Sequence, residues 1–296
     1  MTDLKKTSGG ISTSRKVKTA VLKTLVYLSA VIIIAAVIFV VVVIVIRGLP
    51  NISWEFLSNG VSYLKGITGI LPNILNTIYV VIMTLIIVLP VGTGAAIYLN
   101  EYAKNKKAVA VIEFATETLA GIPSIIYGLV GMLIFVQTFK LKTSLLAGSL
   151  THVIMTLPTI VRTVQESLKT VPNSYREGSL ALGSGKWHMV RTVVLPSAID
   201  GIVTGCILSI GRIVGESAAL LFTAGMADVI YTPLEAITPN HSGSTLAVAL
   251  YVYAKERADS GTAFAIAFIL LILTLIINTA AKIAGKKLKR RTENEG

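Results

Sequence analysis

Residues 172–196 read PNSYREGSLALGSGKWHMVRTVVLP, a polar segment between two apolar runs that are each long enough to cross a bilayer. The segment carries acidic and basic side chains, and Gly183-Ser184-Gly185 separates its two helix-forming parts. Because glycine and serine clusters interrupt helices, the pattern predicts a helix, a break and a second short helix. In a membrane protein, an ordered polar loop of this kind is a candidate docking surface. The alternative is an ordinary solvated loop.

The composition is typical of a protein with several membrane spans. Hydrophobic residues make up 53% of the chain, charged residues only 14%, and the mean hydropathy is +0.76. Soluble domains carry about 25% charged residues. The net charge of +12 does not by itself indicate nucleic-acid binding, because Lys and Arg collect on the cytoplasmic side of membrane proteins. The single cysteine, Cys206, excludes an intrachain disulfide, and the three histidines show no metal-ligand spacing.

Six apolar segments predict an all-α integral membrane protein with six transmembrane helices. The first helix is predicted at 23–46, after a disordered cytoplasmic tail over 1–22. A transmembrane domain of five helices is predicted over 74–284, with spans at about 74–99, 110–136, 144–163, 198–224 and 262–284. The segments between and after these spans are predicted as loops at 47–73 and 225–261 and as a basic cytoplasmic tail at 285–296.

The distribution of Lys and Arg predicts the orientation in the membrane. If the amino terminus is cytoplasmic, six spans place most of the 27 Lys and Arg residues on the cytoplasmic side. Both chain ends and the segment 172–196 are then cytoplasmic.

Apart from Asp200 at its predicted cytoplasmic end, Arg212 and Glu216 are the only charged residues of the fifth predicted span. A charge at bilayer depth costs at least about 2.5 kcal/mol, so such a residue usually faces protein or water. At about 100° per residue, one narrow helix face carries small and polar residues together with this pair: Gly201, Gly205, Ser209, Arg212, Glu216 and Thr223. This face is the predicted lining of a translocation path. The alternative is an i,i+4 ion pair that holds helices together.

The spacing in the polar segment resembles the cytoplasmic motif of ABC importer permeases. That motif consists of Glu-Ala-Ala, three residues, Gly, nine residues, then Ile, any residue and Leu-Pro. The matching positions keep this register throughout, and they are Glu177, Gly178, Ser179, Gly183, Val193, Leu195 and Pro196. The chain departs from the motif by small or isosteric replacements at Gly178, Ser179 and Val193. The resemblance implies that this segment is the loop through which the ATPase subunits are coupled.

Three further stretches resemble phosphate ABC importer permeases, especially those of the PstA type. They are GRIVGESAALLFTA at 211–224, LAGIPSIIYGL at 119–129 and PVGTGAAIYLNEY at 90–102. The resemblance covers about residues 70–285 and implies the type I importer permease fold. It also implies a role for Arg212 in phosphate transport, with Glu216 as the adjacent acid. As a hypothesis, Glu216 accepts a hydrogen bond from a protonated phosphate oxygen, which fully ionised sulfate cannot donate.

The resemblance also implies the partners of the chain. They are a second homologous permease subunit, a dimer of ATPase subunits that binds the ATP, an extracytoplasmic phosphate-binding protein and membrane lipid, with no nucleic acid. We therefore expect a multi-pass protein of the cell (inner or plasma) membrane that is a transport subunit without a cofactor or an ATPase site of its own. Gly183-Ser-Gly-Lys186 does not form a phosphate-binding loop, because Leu180 and Trp187 occupy positions where that motif needs Gly and Ser or Thr.

Two alternatives stay open at this point. One is a permease for another oxyanion, sulfate or molybdate. The other is an ion-coupled secondary transporter, which predicts inverted repeats with helices broken at the membrane midplane. The sequence shows no persuasive repeat, and a secondary transporter leaves the coupling motif unexplained.

Overall fold

The computed structural model describes residues 13–61 and 68–294. This described part is mainly helical and contains no strand. Its α-helices are α1 (Thr13–Gly48), α2 (Trp54–Ser58), α3 (Leu71–Ile97), α4 (Lys106–Ala120), α5 (Ser124–Gly131), α6 (Leu145–Thr170), α7 (Asn173–Ala181), α8 (Lys186–Met189), α9 (Leu195–Ser197), α10 (Ile199–Val214), α11 (Ala218–Thr223), α12 (Pro233–Ala236), α13 (Leu246–Tyr251) and α14 (Ser260–Asn294). A 3-10 turn lies at Leu49–Asn51, and wider π-helical turns lie at Tyr98–Tyr102, Met132–Thr138, Val190–Val194 and Val252–Glu256.

The predicted all-α membrane fold is confirmed, with four continuous spans and two bent ones. Within the described residues, the continuous candidates are Lys18–Asn51, Leu71–Tyr102, Leu145–Thr170 and Ser260–Lys287. Two helix pairs are apolar enough only when taken together, and each is bent at a short break: by 99° between Lys106–Ala120 and Ser124–Thr138, and by 64° between Lys186–Ser197 and Ile199–Val214. Counting each bent pair as one span gives six.

Both ends of the chain are more helical than predicted. α1 begins at Thr13, so residues 13–22 of the predicted disordered tail are helical, whereas residues 1–12 lie outside the described part. α14 runs to Asn294, through most of the predicted basic tail. Lys and Arg have good helix propensity, so a charged extension of an apolar helix does not have to end where hydrophobicity ends.

The third predicted span is not one helix. α4 ends at Ala120 and α5 begins at Ser124, after Gly121 and Pro123. Proline has no N–H to donate and disfavours a helical preceding residue, so the chain turns sharply here. The Tyr127 hydroxyl donates across the break to the carbonyl of Leu119 at 2.8 Å, and this carbonyl also accepts the N–H of Ile122 at 3.1 Å.

The fifth predicted span, 198–224, is also interrupted. α10 ends at Val214, and α11 is a separate helix of six residues that begins at Ala218. The 100° rotation per residue that placed six side chains on one face therefore holds only as far as Val214. Glu216 lies in the break, and Thr223 lies on the next helix.

The segment 225–261, predicted as a polar loop, enters the core of the protein. It contains α12 and α13, and residues 243–249 are all buried. Thr245 caps α13 by accepting from the N–H of Val248 at 3.4 Å, and the N–H of Leu246 donates to Thr77 of α3 at 2.9 Å. The apolar part of this segment is too short to be recognised as a span, which is why the sequence did not reveal it.

The central bundle consists of α3, α6 and α10. Glycines allow these helices to approach closely, because a Cβ at Gly92 of α3 would collide with Ile160 of α6, and one at Gly201 of α10 would collide with Ser167 of α6. By contrast, α1 packs at the edge, and its most apolar window has no buried residue.

Contacts between distant segments agree with the predicted grouping of the loops at the two ends of the bundle. Ion pairs join segments that are all predicted to be cytoplasmic or to lie at that end of a span: Glu101 with Arg176, Glu113 with Lys169 and Asp200 with Lys289. At the other end, the N–H of Asn240 donates to the carbonyl of Leu141 at 3.3 Å, which joins two loops predicted to be extracytoplasmic. Each of these contacts therefore joins segments that are predicted to lie on the same side of the membrane.

Candidate functional site

The predicted helix, break and short helix in residues 172–196 is confirmed. α7 is followed by a turn in which Gly183 adopts φ +82°, and α8 then begins at Lys186. This left-handed conformation favours glycine, because a Cβ is disfavoured there. No atom lies within 4 Å of the position of a Cβ at Gly183, so the requirement is conformational and not a matter of space.

This loop exposes large apolar side chains together with a carboxylate. Leu182 is 91% exposed and Trp187 is 62% exposed, and Tyr175 and Leu180 are exposed as well. Glu177 lies on the same helix, α7, and is also exposed. We call Tyr175, Glu177, Leu180, Leu182 and Trp187 the docking patch. Apolar clusters with charged neighbours are typical of protein interaction surfaces.

The other predicted coupling residues divide into two groups. Gly178 and Ser179 lie on α7 with Glu177, and a Cβ at Gly178 would meet no atom within 4 Å, so the alanine of the family motif fits there. Ser179 and Ser184 hold the turn closed through a hydroxyl contact of 2.7 Å. Leu195 and Pro196 lie in α9, are half-buried, and belong to the junction with α10 rather than to the docking patch.

Arg212 and Glu216 do not form the ion pair that the sequence left open. Arg212 is half-buried near the end of α10, and within the described residues no carboxylate lies at ion-pair distance from its guanidinium. Oε1 of Glu216 instead accepts the N–H of Ala219 at 3.2 Å, in the first turn of α11. One carboxylate oxygen of Glu216 is thus engaged at the start of α11, and the guanidinium of Arg212 has no ion-pair partner among the described residues.

Ser209 and Thr223, the other two predicted path residues, are fully buried. The Thr223 hydroxyl donates to the carbonyl of Ala219 at 2.8 Å, whereas the Ser209 hydroxyl has no partner in the described part of the protein. On the same side of α10, a Cβ at Gly205 would contact Thr163 of α6. The structure therefore leaves Arg212 and Glu216 partly accessible, whereas Ser209 and Thr223 are buried.

Sequence reasoning missed two neighbours of the charged residues, Tyr127 and His152. The charge of Arg212 acts electrostatically on both side chains, and that of Glu216 acts on His152. His152 is completely buried, with Nδ1 at 3.0 Å from the carbonyl of Gly148. A carbonyl only accepts, so Nδ1 carries the hydrogen, and Nε2 is an acceptor without a partner among the described residues. Both residues lie on other helices, so spacing within the fifth span gave no signal for them.

Within residues 13–61 and 68–294, no group of three His, Cys, Asp or Glu side chains is placed to hold a metal ion.

Comparisons with known proteins show the family to which the chain belongs. Residues 89–290 match the family model of the binding-protein-dependent transport system inner membrane component. The chain is 34% identical over 267 residues to the probable ABC transporter permease protein YqgI of Bacillus subtilis, covering 84% of this chain and 89% of that protein. It is 29% identical over 271 residues to the phosphate transport system permease protein PstA of Pasteurella multocida, covering 91% and 95%.

Solved structures show the same fold at low identity. A chain of a bacterial alginate ABC transporter, crystallised in complex with a periplasmic protein bound to an alginate pentasaccharide, aligns with a TM-score of 0.65 at 12% identity, covering 93% of this chain and 97% of that chain. A chain of the MetNI methionine ABC transporter in an inward-facing conformation aligns with a TM-score of 0.52 at 19% identity, covering 76% and 94%.

Proposed function

Because the chain belongs to the family of binding-protein-dependent transport system inner membrane components, we propose that it is a permease subunit of an ATP-driven phosphate importer. The observation that carries this proposal is the likeness to phosphate transport permeases over nine-tenths of the chain, including relatives from Pasteurella multocida and Mycobacterium tuberculosis. The chain is a multi-pass membrane protein, and in this function it forms half of the translocation path.

The same proposal assigns the partners. A second homologous permease completes the path, and an extracytoplasmic phosphate-binding protein delivers the anion. Two copies of an ATPase subunit bind and hydrolyse the ATP, so this chain needs no cofactor. A similar solved transporter contains a periplasmic binding protein, which supports the general kind of assembly.

The docking patch is the proposed contact with the ATPase. Its exposed leucine and tryptophan side chains bury apolar area when a groove covers them, which is favourable by about 25 cal/mol per Å². Glu177 beside them offers a carboxylate to a basic residue of the ATPase, and the glycine at Gly183 fixes the angle between α7 and α8. Leu195 and Pro196 join this loop to α10, which ends near Arg212.

Arg212 and Glu216 are the proposed contacts of phosphate in the path. A guanidinium without a fixed partner can donate two parallel hydrogen bonds to one oxyanion. Glu216 lies four positions further on and supplies a negative charge that opposes retention, which suits a site that must release its substrate. Ser209 and Thr223 are the other two residues of the proposed path.

The interrupted helices bear on the secondary-transporter alternative. Spans broken by 99° and 64° are the kind of feature that such transporters also use. The exposed coupling loop has no role in that mechanism, and the family match favours the importer. Within the same importer mechanism, transport of sulfate or molybdate in place of phosphate stays the alternative.

Phosphate uptake by cells that lack this chain tests the proposal. We expect uptake from low external phosphate to be lost on deletion and restored by the intact chain, and excess sulfate should not compete. If uptake of sulfate or molybdate is lost instead, the phosphate assignment is wrong. If deletion leaves the uptake of all three anions unchanged, the proposed transport function is wrong.

A further inference from the structure

Arg176, on helix α7 of the coupling loop, forms the most buried ion pair of the described part of the protein. Its side chain is 15% exposed, and that of its partner Glu101 is 5% exposed. The side chains of the other ion pairs there are between 36% and 76% exposed. Exposed pairs contribute little, whereas a buried pair persists only if its geometry is good and its remaining groups are satisfied.

All three guanidinium nitrogens of Arg176 donate hydrogen bonds. Nε and Nη2 donate to Oε1 of Glu101 at 3.1 and 2.9 Å. Nη2 also donates to the carbonyl of Leu168 at 2.9 Å, and Nη1 donates to that of Val171 at 2.7 Å. These carbonyls belong to the last turn of α6 and to Val171, the residue that follows it. We call Arg176, Glu101 and the two carbonyls the Arg176 clamp.

A second contact joins the same two regions. The ammonium of Lys186, at the start of α8, lies 5.0 Å from the ring centroid of Tyr102, the neighbour of Glu101. Both helices of the coupling loop therefore touch the turn Tyr98–Tyr102, which continues directly from α3. Glu101 and Arg176 are 75 positions apart in the chain, so the contact is purely tertiary.

We propose that the Arg176 clamp transmits movement of the coupling loop to α3. α7 connects along the chain to α6 and, through α8 and α9, to α10, whereas its connection to α3 depends on side chains. α3 in turn packs closely on α6, with Gly92 against Ile160. The clamp makes the loop, α3 and the end of α6 move as one body when the ATPase moves the loop. Glu101 and Arg176 are then positioning residues for ATP-driven transport, an inference that rests on the proposed function.

The first test is the ratio of phosphate uptake to ATP hydrolysis in the complex assembled with its ATPase. Glu101→Gln keeps the shape of the carboxylate and removes its charge. Arg176→Lys keeps the charge, but an ammonium cannot reach the carboxylate and both carbonyls together. We expect both variants to hydrolyse ATP while uptake per ATP falls about fivefold or more, the lower range of coupling between two sites.

The matched control is Asp200→Asn, which breaks the exposed ion pair with Lys289 between α10 and α14 and should leave the ratio unchanged. A clamp with only a structural role predicts a different result. The Glu101→Gln and Arg176→Lys complexes would then be less abundant, but each assembled complex would couple normally. An unchanged ratio in both variants would overturn the inference.

The second test does not depend on the substrate. Spin labels at Ser174→Cys and Tyr98→Cys, in a Cys206→Ser background, report the distance between the coupling loop and the turn after α3; both native side chains are exposed, and neither belongs to the docking patch. We expect nucleotide binding to leave this distance unchanged in the otherwise native complex and to change it by several ångströms when Glu101→Gln is added. If the distance behaves identically with and without Glu101→Gln, the clamp is refuted, whether or not the complex carries phosphate. If the clamp behaves as expected but the complex takes up no phosphate, the proposed substrate fails and the clamp stands.

Discussion

A guanidinium at membrane depth needs water, a counter-charge or a ligand, and Arg212 has no counter-charge in contact among the described residues. The nearest acid along the chain, Glu216, uses its carboxylate to cap the first turn of α11. At the scale of single residues, the two charges therefore have separate tasks, and substitutions at the two positions should have different effects.

Arg212→Gln should reduce phosphate uptake per assembled complex about tenfold or more, because a hydrogen bond to a charged group contributes about 1.5–3 kcal/mol. Arg212→Lys should restore little, since an ammonium is a point charge without the planar fork. Uptake of labelled phosphate, divided by the amount of assembled complex, measures both effects. Normal uptake by Arg212→Gln would contradict the proposed path.

Glu216→Gln removes the negative charge and keeps an oxygen that can accept the N–H of Ala219. We expect the protein to assemble normally and phosphate to be retained longer, because Arg212 then acts on the anion without an opposing charge. Phosphate efflux from preloaded complexes measures the retention. The double variant Arg212→Gln/Glu216→Gln separates this account from a structural ion pair, because a structural pair predicts that neutralising both charges restores uptake.

At the scale of elements, the coupling loop depends on one backbone conformation. Gly183→Asp places a side chain at φ +82°, and Glu177→Lys reverses the charge of the docking patch. Both variants should insert and assemble while ATP hydrolysis becomes uncoupled from uptake. Gly185→Ala is the matched control, since Gly185 has φ −73° and a Cβ there would meet no atom within 4 Å. Normal coupling in both Glu177→Lys and Gly183→Asp would exclude this loop as the docking element.

The start of α14 provides a pH-dependent element. Asp259 accepts the hydroxyl of Thr262 at 2.6 Å and its N–H at 3.1 Å, and these hydrogen bonds lower the pKa of the Asp259 carboxyl. Because the pKa is lower in the folded state, the stabilisation is fully present above the ordinary carboxyl pKa and is lost as the pH falls through the lowered one.

Asp259→Ala should therefore lower the free energy of unfolding by about 1 kcal/mol at neutral pH, as expected for the loss of a helix cap. The difference from the native protein should shrink on acidification as the native carboxylate protonates. Thermal unfolding in detergent at several pH values measures it. A difference that grows toward acid would contradict the assignment of Asp259 as a charged cap.

Sequence patterns predicted the elements better than the contacts between them. Hydropathy located the long spans, and the spacing from Glu177 to Pro196 located the coupling loop. The break at 215–217 was missed, because a helical wheel assumes an unbroken helix. The partner of Arg176 was missed because a contact over 75 positions leaves no local pattern in one sequence.

At the scale of the whole molecule, the six-span arrangement predicts which ends of the bundle face each compartment. In a Cys206→Ser background, a cysteine at Lys186 should react only with a cytoplasmic reagent, and one at Asn240 only with an extracytoplasmic reagent. Lys186 is exposed at the coupling loop and Asn240 is exposed in the opposite loop, so both are accessible. Labelling of both positions from one side would refute the topology.

The source of energy distinguishes an importer permease from the other transporter class with interrupted helices. In this account, ATP hydrolysis moves the docking patch, and no ion gradient is required. The chain, its partner permease and the ATPase can be reconstituted together in vesicles, with the binding protein and labelled phosphate on the outside.

Phosphate accumulation in these vesicles is the most direct measurement of the central claim. We expect accumulation to require ATP on the ATPase side, to continue when ionophores collapse the ion gradients, and to fall strongly with Arg212→Gln. Accumulation that is driven by an ion gradient without ATP would contradict the central claim.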